Sequence, residues 1–252
     1  MIKTEDLHIN GLKILQEDNG FKFGTDAVLL SWFCKTKKFR NAIDLCCGNG
    51  IVPILLSTEK YDTITGIEIN STQCDLFEKS ISLNNLKNIS CINADIRLSP
   101  LKKTKSIISG QSDLVSVNPP YFEPFRGISP ADAKAAARSE SMCTLSEVTE
   151  TAAYLLKHGG RFCMIHRVER LCDIFEAMRA YRIEPKRFVP VISVEGKNPE
   201  LCLIEGKKGG GVGLKFEKPI VISNKAGRYT DQANFIYGFD RNSYAEDNNY
   251  GK

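Results

Sequence analysis

Asn118-Pro119-Pro120-Tyr121 follows Asp113-Leu114-Val115-Ser116-Val117, a short apolar run that reads as a buried strand. Two prolines fix φ and remove two N–H donors, so the chain can neither continue the pairing nor turn into a helix there. The strand's carboxyl end is left rigid, with carbonyls and an Asn amide pointing outward and an aromatic ring behind them. Such a platform can accept hydrogen bonds from a planar amine while the ring stacks on its face. A simple strand-terminating turn explains these four residues equally well, because Asn-Pro and Pro-Pro are common breakers. The rest of the chain has to decide.

Upstream, Asp44-Leu45-Cys46-Cys47-Gly48-Asn49-Gly50 links a short strand, 42–45, to an apolar helix, 51–57. Glycines there let the backbone approach a ligand closely, and the helix presents its N-terminus. Glu68 ends the next strand, 68 − 50 = 18 residues after Gly50. An acid near that spacing accepts bonds from ribose hydroxyls. Asp95, after a third strand, is placed to receive an adenine amine. The loop lacks the Gly-x-Gly-x-x-Gly turn and the Lys-Ser/Thr of a P-loop. Its leading Asp44 favours a ligand carrying an amino group and a positive centre, and S-adenosylmethionine has both.

These residues need a scaffold that gathers strand ends. Strands at 63–68, 89–92, 113–117 and 161–166 alternate with helices at 72–83, after a Ser71 cap, 145–157, after the capping box Thr144 to Glu147, and 168–180. The alternation predicts an α/β fold with a doubly wound, mostly parallel sheet that binds ligands beyond its strands' carboxyl ends. Strands 188–194 and 201–205 should form an antiparallel pair, with a glycine-lysine loop at 206–213. Asn10-Gly11 signals a hairpin, and Thr25-Asp26 an N-cap for a helix over 27–33. The expected organisation is a β-ribbon and helix cover at 1–35, the main domain at 36–230, and a polar, fraying tail at 231–252. Residues 122–143 read as a long loop.

Composition sets the outer limits. Of the 252 residues 42% are hydrophobic and 25% charged, as in ordinary globular proteins. No apolar run reaches the roughly 18 residues of a membrane span, and the start lacks a secretory h-region, so a cytoplasmic protein is expected. Nine cysteines and three histidines show no zinc-type spacing, and no metal is expected. Between Lys157 and Pro190 eight Lys/Arg face four acids, a surplus equal to the whole chain's +4. That region suits a phosphate-bearing partner, with Arg167, Arg170, Lys186 and Arg187 as candidate contacts.

Asp44 to Gly50, Glu68, Asp95 and Asn118 to Tyr121 together resemble class I methyltransferases that modify amines on planar, conjugated groups. Phe23-Gly24-Thr25-Asp26-Ala27-Val28-Leu29-Leu30 and Ala137-Arg138-Ser139-Glu140 resemble the bacterial tRNA1(Val) (adenine(37)-N6)-methyltransferases, and the likeness extends to about Thr230. It implies a Rossmann-like, seven-stranded sheet and methylation of an adenine beside the anticodon of tRNA. It also implies that Gly24, Thr25 and Asp26 close over the cofactor; Asn118 is a further candidate to bind it, and Arg138 either pairs with Glu140 or meets RNA. Tyr121 would stack on the target base. Neither a membrane nor an obligate protein partner is implied. Cys46 departs from the family, which has Gly there.

Three alternatives stand beside this reading. A guanine-N2 RNA methyltransferase and a protein-glutamine N5 methyltransferase use the same Asn-Pro-Pro-Tyr platform. The glutamine enzymes carry an N-terminal helical domain, for which the short segment before the sheet leaves little room. The third is a noncatalytic RNA-binding protein.

Overall fold

Two antiparallel strands open the chain, β1 (Ile2–Asp6) and β2 (Lys13–Glu17). Asn10 and Gly11 both take positive φ, 53° and 70°, and the Leu12 N–H closes the turn on the Ile9 carbonyl at 3.0 Å. This is the hairpin that Asn-Gly signals, because only small or amide residues accept two successive left-handed conformations cheaply. A computed structural model describes residues 1–17, 24–35, 40–97, 101–103, 107, 109–119 and 143–239.

Beyond helix α1 (Thr25–Cys34) the strands and helices alternate: β3 (Asn41–Leu45), α2 (Ile51–Leu56), β4 (Thr63–Glu68), α3 (Ser71–Leu83), β5 (Ile89–Asn93), β6 (Ser112–Val117), α4 (Leu145–Leu155) and β7 (Leu156–Arg167). A 3-10 turn and α5 (Leu171–Ala180) lead to β8 (Ile183–Val194) and β9 (Leu201–Lys208). The short β10 (Lys215–Phe216) and β11 (Ile220–Ser223) precede α6 (Asp231–Tyr237).

The main sheet has nine strands, ordered β10-β8-β9-β7-β6-β3-β4-β5, with β11 also on β8. Strands β5, β4, β3, β6 and β7 are mutually parallel, and β9 runs antiparallel between β7 and β8. The seven strands from β5 to β8 form the expected doubly wound sheet with its antiparallel pair. β10 and β11 extend the edge beyond the expectation.

Apolar side chains fill both faces. One core joins the hairpin, α1, α2, Phe77 of α3 and α6; the other joins α4 and α5 to Leu45, Val115, Val117, Phe162 and Met164. All six residues of β6 are buried, as expected for a strand covered on both sides.

Several expectations need correcting. Asn70, not Ser71, caps α3, its Oδ1 accepting from Thr72 N at 2.9 Å and Gln73 N at 3.3 Å. Gly24 precedes α1 without a side-chain cap. β8 starts at Ile183, ahead of Pro185, because a register shift between Pro185 and Arg187 accommodates the missing N–H. β9 takes in Gly206 to Lys208, the first part of the expected glycine-lysine loop. The segment from Asp231 does not fray at its start: Thr230 caps α6, and Ala233, Ile236 and Tyr237 are buried in the core.

Candidate cofactor and substrate site

The parallel ladders set Asp44 beside Gly66 and Ser116, and Leu45 beside Ile67 and Val117. The carboxyl ends of β3, β4 and β6 therefore lie level, and the loops after them meet at one edge. Asp44 is buried, and its Oδ1 accepts the Ser116 hydroxyl at 2.6 Å. Burial pushes its carboxyl up to about 8; the Ser116 bond opposes this and the nearby Glu68 charge adds to it.

The loop after β3 is wound tightly. Cys46, Gly48 and Gly50 all take positive φ, at 55°, 55° and 89°. A Cβ on Gly50 would sit 1.9 Å from the Phe77 ring, so Gly is obligatory there. A Cβ on Gly48 would meet nothing within 4 Å, so that backbone lies open on the loop's ligand side. Cys46 shares the left-handed conformation of the glycines, which a residue with a Cβ adopts at a cost.

Glu68 closes the loop from below. Its Oε2 accepts the Gly48 N–H and its Oε1 the Asn70 N–H, each at 2.9 Å. Asn93, at the end of β5, donates to the carbonyls of Glu68 at 2.9 Å and Ile69 at 3.0 Å, fixing the chain that carries the acid. Each carboxylate oxygen has a second lone pair, so Glu68 can hold the loop and still accept from a ribose. An open Gly48 backbone, a buried carboxylate and a second acid with spare acceptor capacity fit a cationic amine joined to a nucleoside.

Asp95 lies past the end of β5, on the same edge, but its carboxylate is engaged by the Arg97 guanidinium and accepts the Arg97 N–H at 2.9 Å. Asn118, half-buried, and Pro119, buried, follow Val117 directly, one strand over from the glycine loop. Pro120, Tyr121 and Arg138 lie outside the described residues, as does nearly all of the 122–143 loop.

Helix α1 runs against the strands. Lys35, just past its C-terminus, donates to Thr58 Oγ1 at 3.1 Å and pairs with Glu59 at 3.5 Å, at the sheet's far edge ahead of β4. Gly24, Thr25 and Asp26 therefore stand at the edge that carries Asp44, Glu68 and Asn118.

The basic segment separates into two parts. Arg167 ends β7 and Arg170 lies just beyond it, three and six residues past Met164, the partner of Val117. Lys186 and Arg187 lie on the amino half of β8, away from the site. Lys186 is spent on the Gly211 and Val212 carbonyls, and Arg187 on Glu205, Glu217 and the Phe33 ring face. Both cations are engaged within the protein, at the end of β8 away from Asn118. In the same segment Lys157, Arg161, Arg170, Arg179 and Arg187 pair with carboxylates.

Ser116, Phe77 and Asn93 escaped the sequence reading. Ser116 had a signal, as the one hydroxyl inside an apolar strand. Phe77 and Asn93 act only through contacts distant in the chain.

Comparison with known proteins agrees with this geometry. The methyltransferase small domain matches residues 18–179. A tRNA1(Val) (adenine(37)-N6)-methyltransferase of Haemophilus influenzae is 27% identical over 90% of this chain and 92% of its own length. One from a Flavobacteriaceae bacterium is 24% identical over 70% of this chain and 78% of its own. The fold is shared with a predicted O-methyltransferase of Agrobacterium tumefaciens, with a TM-score of 0.68 at 18% identity over 84% of this chain and 95% of that one. It is also shared with M. jannaschii TYW2 in complex with AdoMet, with a TM-score of 0.55 at 14% identity over 79% and 82%. The chain belongs to the methyltransferase small domain family and is an S-adenosylmethionine-dependent methyltransferase.

Proposed function

We propose that the enzyme methylates the exocyclic N6 amine of an adenine in tRNA, at position 37 beside the anticodon of tRNA1(Val), and that it acts in the cytoplasm on the anticodon stem-loop. The observation that carries this reading is the placement of Asn118 and Pro119 at the end of β6, beside the Asp44–Gly50 loop on β3.

When bound, S-adenosylmethionine supplies an electrophilic methyl group. Asp44 would hold the amino end and Glu68 the ribose, beside the open Gly48 backbone. Asp95, which Arg97 engages, would be the acceptor for the adenine amine. An aromatic amine is a poor nucleophile because its lone pair is delocalised into the ring. The Asn118 side-chain oxygen and the Pro119 carbonyl accept its two hydrogens and favour a pyramidal nitrogen with an available lone pair. Holding that nitrogen at the end of β6, beside the loop that would carry the cofactor, would lower the barrier through proximity. No general base is required before transfer. An anticodon-loop base reaches such a platform unstacked more easily than a duplex base.

The test is to incubate the protein with labelled S-adenosylmethionine and separate tRNA, rRNA and protein acceptors, followed by nucleoside mass spectrometry. N6-methyladenosine in tRNA is expected. Label confined to protein, or recovered as N2-methylguanosine, overturns the reading.

A further inference from the structure

Four aromatic rings gather at the end of α6, and three of them face solvent. Tyr229 and Phe239 stack with centroids 5.9 Å apart and planes within 10°. His8 lies 4.8 Å from Phe239, tilted by 47°, and Tyr237 packs edge-on to Tyr229 at 5.4 Å. Tyr237 is 5% exposed and roots the group in the core, whereas Tyr229 is 45% and Phe239 52% exposed. A soluble protein rarely leaves adjoining large rings open without a use for them.

The group is held in place. Gly238 takes a left-handed φ of 81°, which turns the chain back after α6, and the Phe239 N–H bonds to the Asn234 carbonyl at 2.9 Å. A Cβ at Gly238 would stand 2.2 Å from the His8 carbonyl, so the hairpin turn docks directly on this bend. Tyr229 follows a tight turn in which Asn224 Oδ1 accepts the Ala226 and Arg228 N–H groups at 3.0 and 3.1 Å.

Its position relates it to the site. β8 and β11 are parallel to each other, and both run with β7, so β11 ends at the edge that carries Asn118, where Tyr229 bridges back to its last residue, Ser223. Helix α6 packs on α1, and Tyr237 stands beside Thr25 at the amino end of α1. Lys197, Lys225 and Arg228 are exposed at the same end, and among the described residues none of them pairs with a carboxylate. A flat stacked face beside unspent cations matches a single strand of nucleic acid, whose bases stack while its phosphates need cations.

We propose that Tyr229, Phe239 and His8 form a stacking platform for unpaired nucleotides of the RNA substrate, with Lys225 and Arg228 holding the adjoining phosphates. The proposal rests on the tRNA reading above for the identity of the strand. The platform is a second holding point, outside the cofactor pocket, that orients the RNA toward Asn118.

The test uses the full chain with Tyr229→Ala/Phe239→Ala and, as the conservative control, Tyr229→Phe/Phe239→Trp. Three quantities are read: KM for an unmodified tRNA transcript, direct binding of a single-stranded 12-nucleotide RNA, and cofactor affinity by calorimetry. The alanine pair should raise KM and weaken 12-mer binding about tenfold or more, as loss of stacking on the platform does. It should leave cofactor affinity and the melting temperature in place, and the Phe/Trp pair should restore RNA binding. Unchanged 12-mer binding, or cofactor affinity falling in parallel, overturns the platform. If the wild-type enzyme methylates no RNA, the tRNA reading fails, and the 12-mer measurement still decides the platform. A wild-type dimer that the alanine pair splits, with RNA binding intact, would assign the patch to self-association and overturn it as well.

Discussion

Glu68 and Gly48 are joined by a 2.9 Å hydrogen bond in which the glycine N–H donates to the carboxylate, although 20 residues separate them. The acid at the end of one strand thus shapes the glycine loop after its neighbour. The loop geometry therefore depends on the same acid that is proposed to hold the ribose.

Glu68→Ala should therefore weaken the cofactor in two ways. It removes the ribose acceptor and strands the Gly48 and Asn70 N–H groups, each costing about 1–3 kcal/mol if left without a partner. Calorimetry should show at least a tenfold loss of cofactor affinity, accompanied by a lower melting temperature. Glu68→Gln, which keeps one carbonyl oxygen, should fall between. Wild-type affinity in the alanine variant would show that the ribose lies elsewhere.

Gly50 tests the loop separately. Gly50→Ala places a methyl group 1.9 Å from the Phe77 ring at a φ of 89°. Left-handed backbone costs a non-glycine residue about 1–2 kcal/mol, and overpacking adds about 1–3 kcal/mol. Denaturant unfolding should show roughly 3 kcal/mol lost. In a Phe77→Leu background the added cost of Gly50→Ala should shrink toward the backbone share. An equal cost in both backgrounds would mean that the ring clash is not what fixes glycine here.

Much of this arrangement was legible in the chain because its carriers are local. Asn10-Gly11 states its turn, Thr144 and Glu147 state their capping box, and the acids at 44 and 68 stand at strand ends that alternation alone locates. What was hidden depends on partners far along the sequence. Arg187 pairs with Glu205 and Glu217, 18 and 30 residues away, and no local signal announces either partner. The polar composition after Asp231 masks the spacing of Ala233, Ile236 and Tyr237, whose burial requires the hairpin and α1. Asn70 and Ser71 are both good caps, and only the orientation of the chain after Glu68 chooses between them.

Asp44 gives a pH signature. Its carboxyl is raised to about 8 by burial, against about 3.9 in an unfolded chain. The folded protein without cofactor keeps a proton there that the unfolded chain has already lost. Its contribution to stability is full below about pH 4 and declines as pH rises toward 8. Asp44→Asn, which can still accept from Ser116, should flatten this slope between pH 5 and 8. A cationic amine seated beside Asp44 favours the ionised form, so cofactor binding near neutral pH should release a proton. Calorimetry in two buffers of different ionisation enthalpy measures that release; its absence, with the slope unchanged in the Asn variant, would remove Asp44 from the amine contact.

Asn118 separates the chemistry from the binding. Its side chain belongs to the substrate amine in the proposed mechanism, whereas the amino end and the ribose of the cofactor are held from β3 and β4. Asn118→Ala leaves the Pro119 carbonyl as the lone acceptor, and loss of one positioned hydrogen-bonding partner in a transition state typically costs about 100-fold or more in turnover. The variant should retain near wild-type cofactor affinity and bind tRNA while turning over at least 100-fold more slowly. Asn118→Asp keeps an acceptor oxygen at the same distance from the backbone and should recover part of that loss. If the alanine variant instead loses cofactor affinity and turnover together, Asn118 holds the cofactor rather than the amine, and the nucleophile must be activated by another group at this edge.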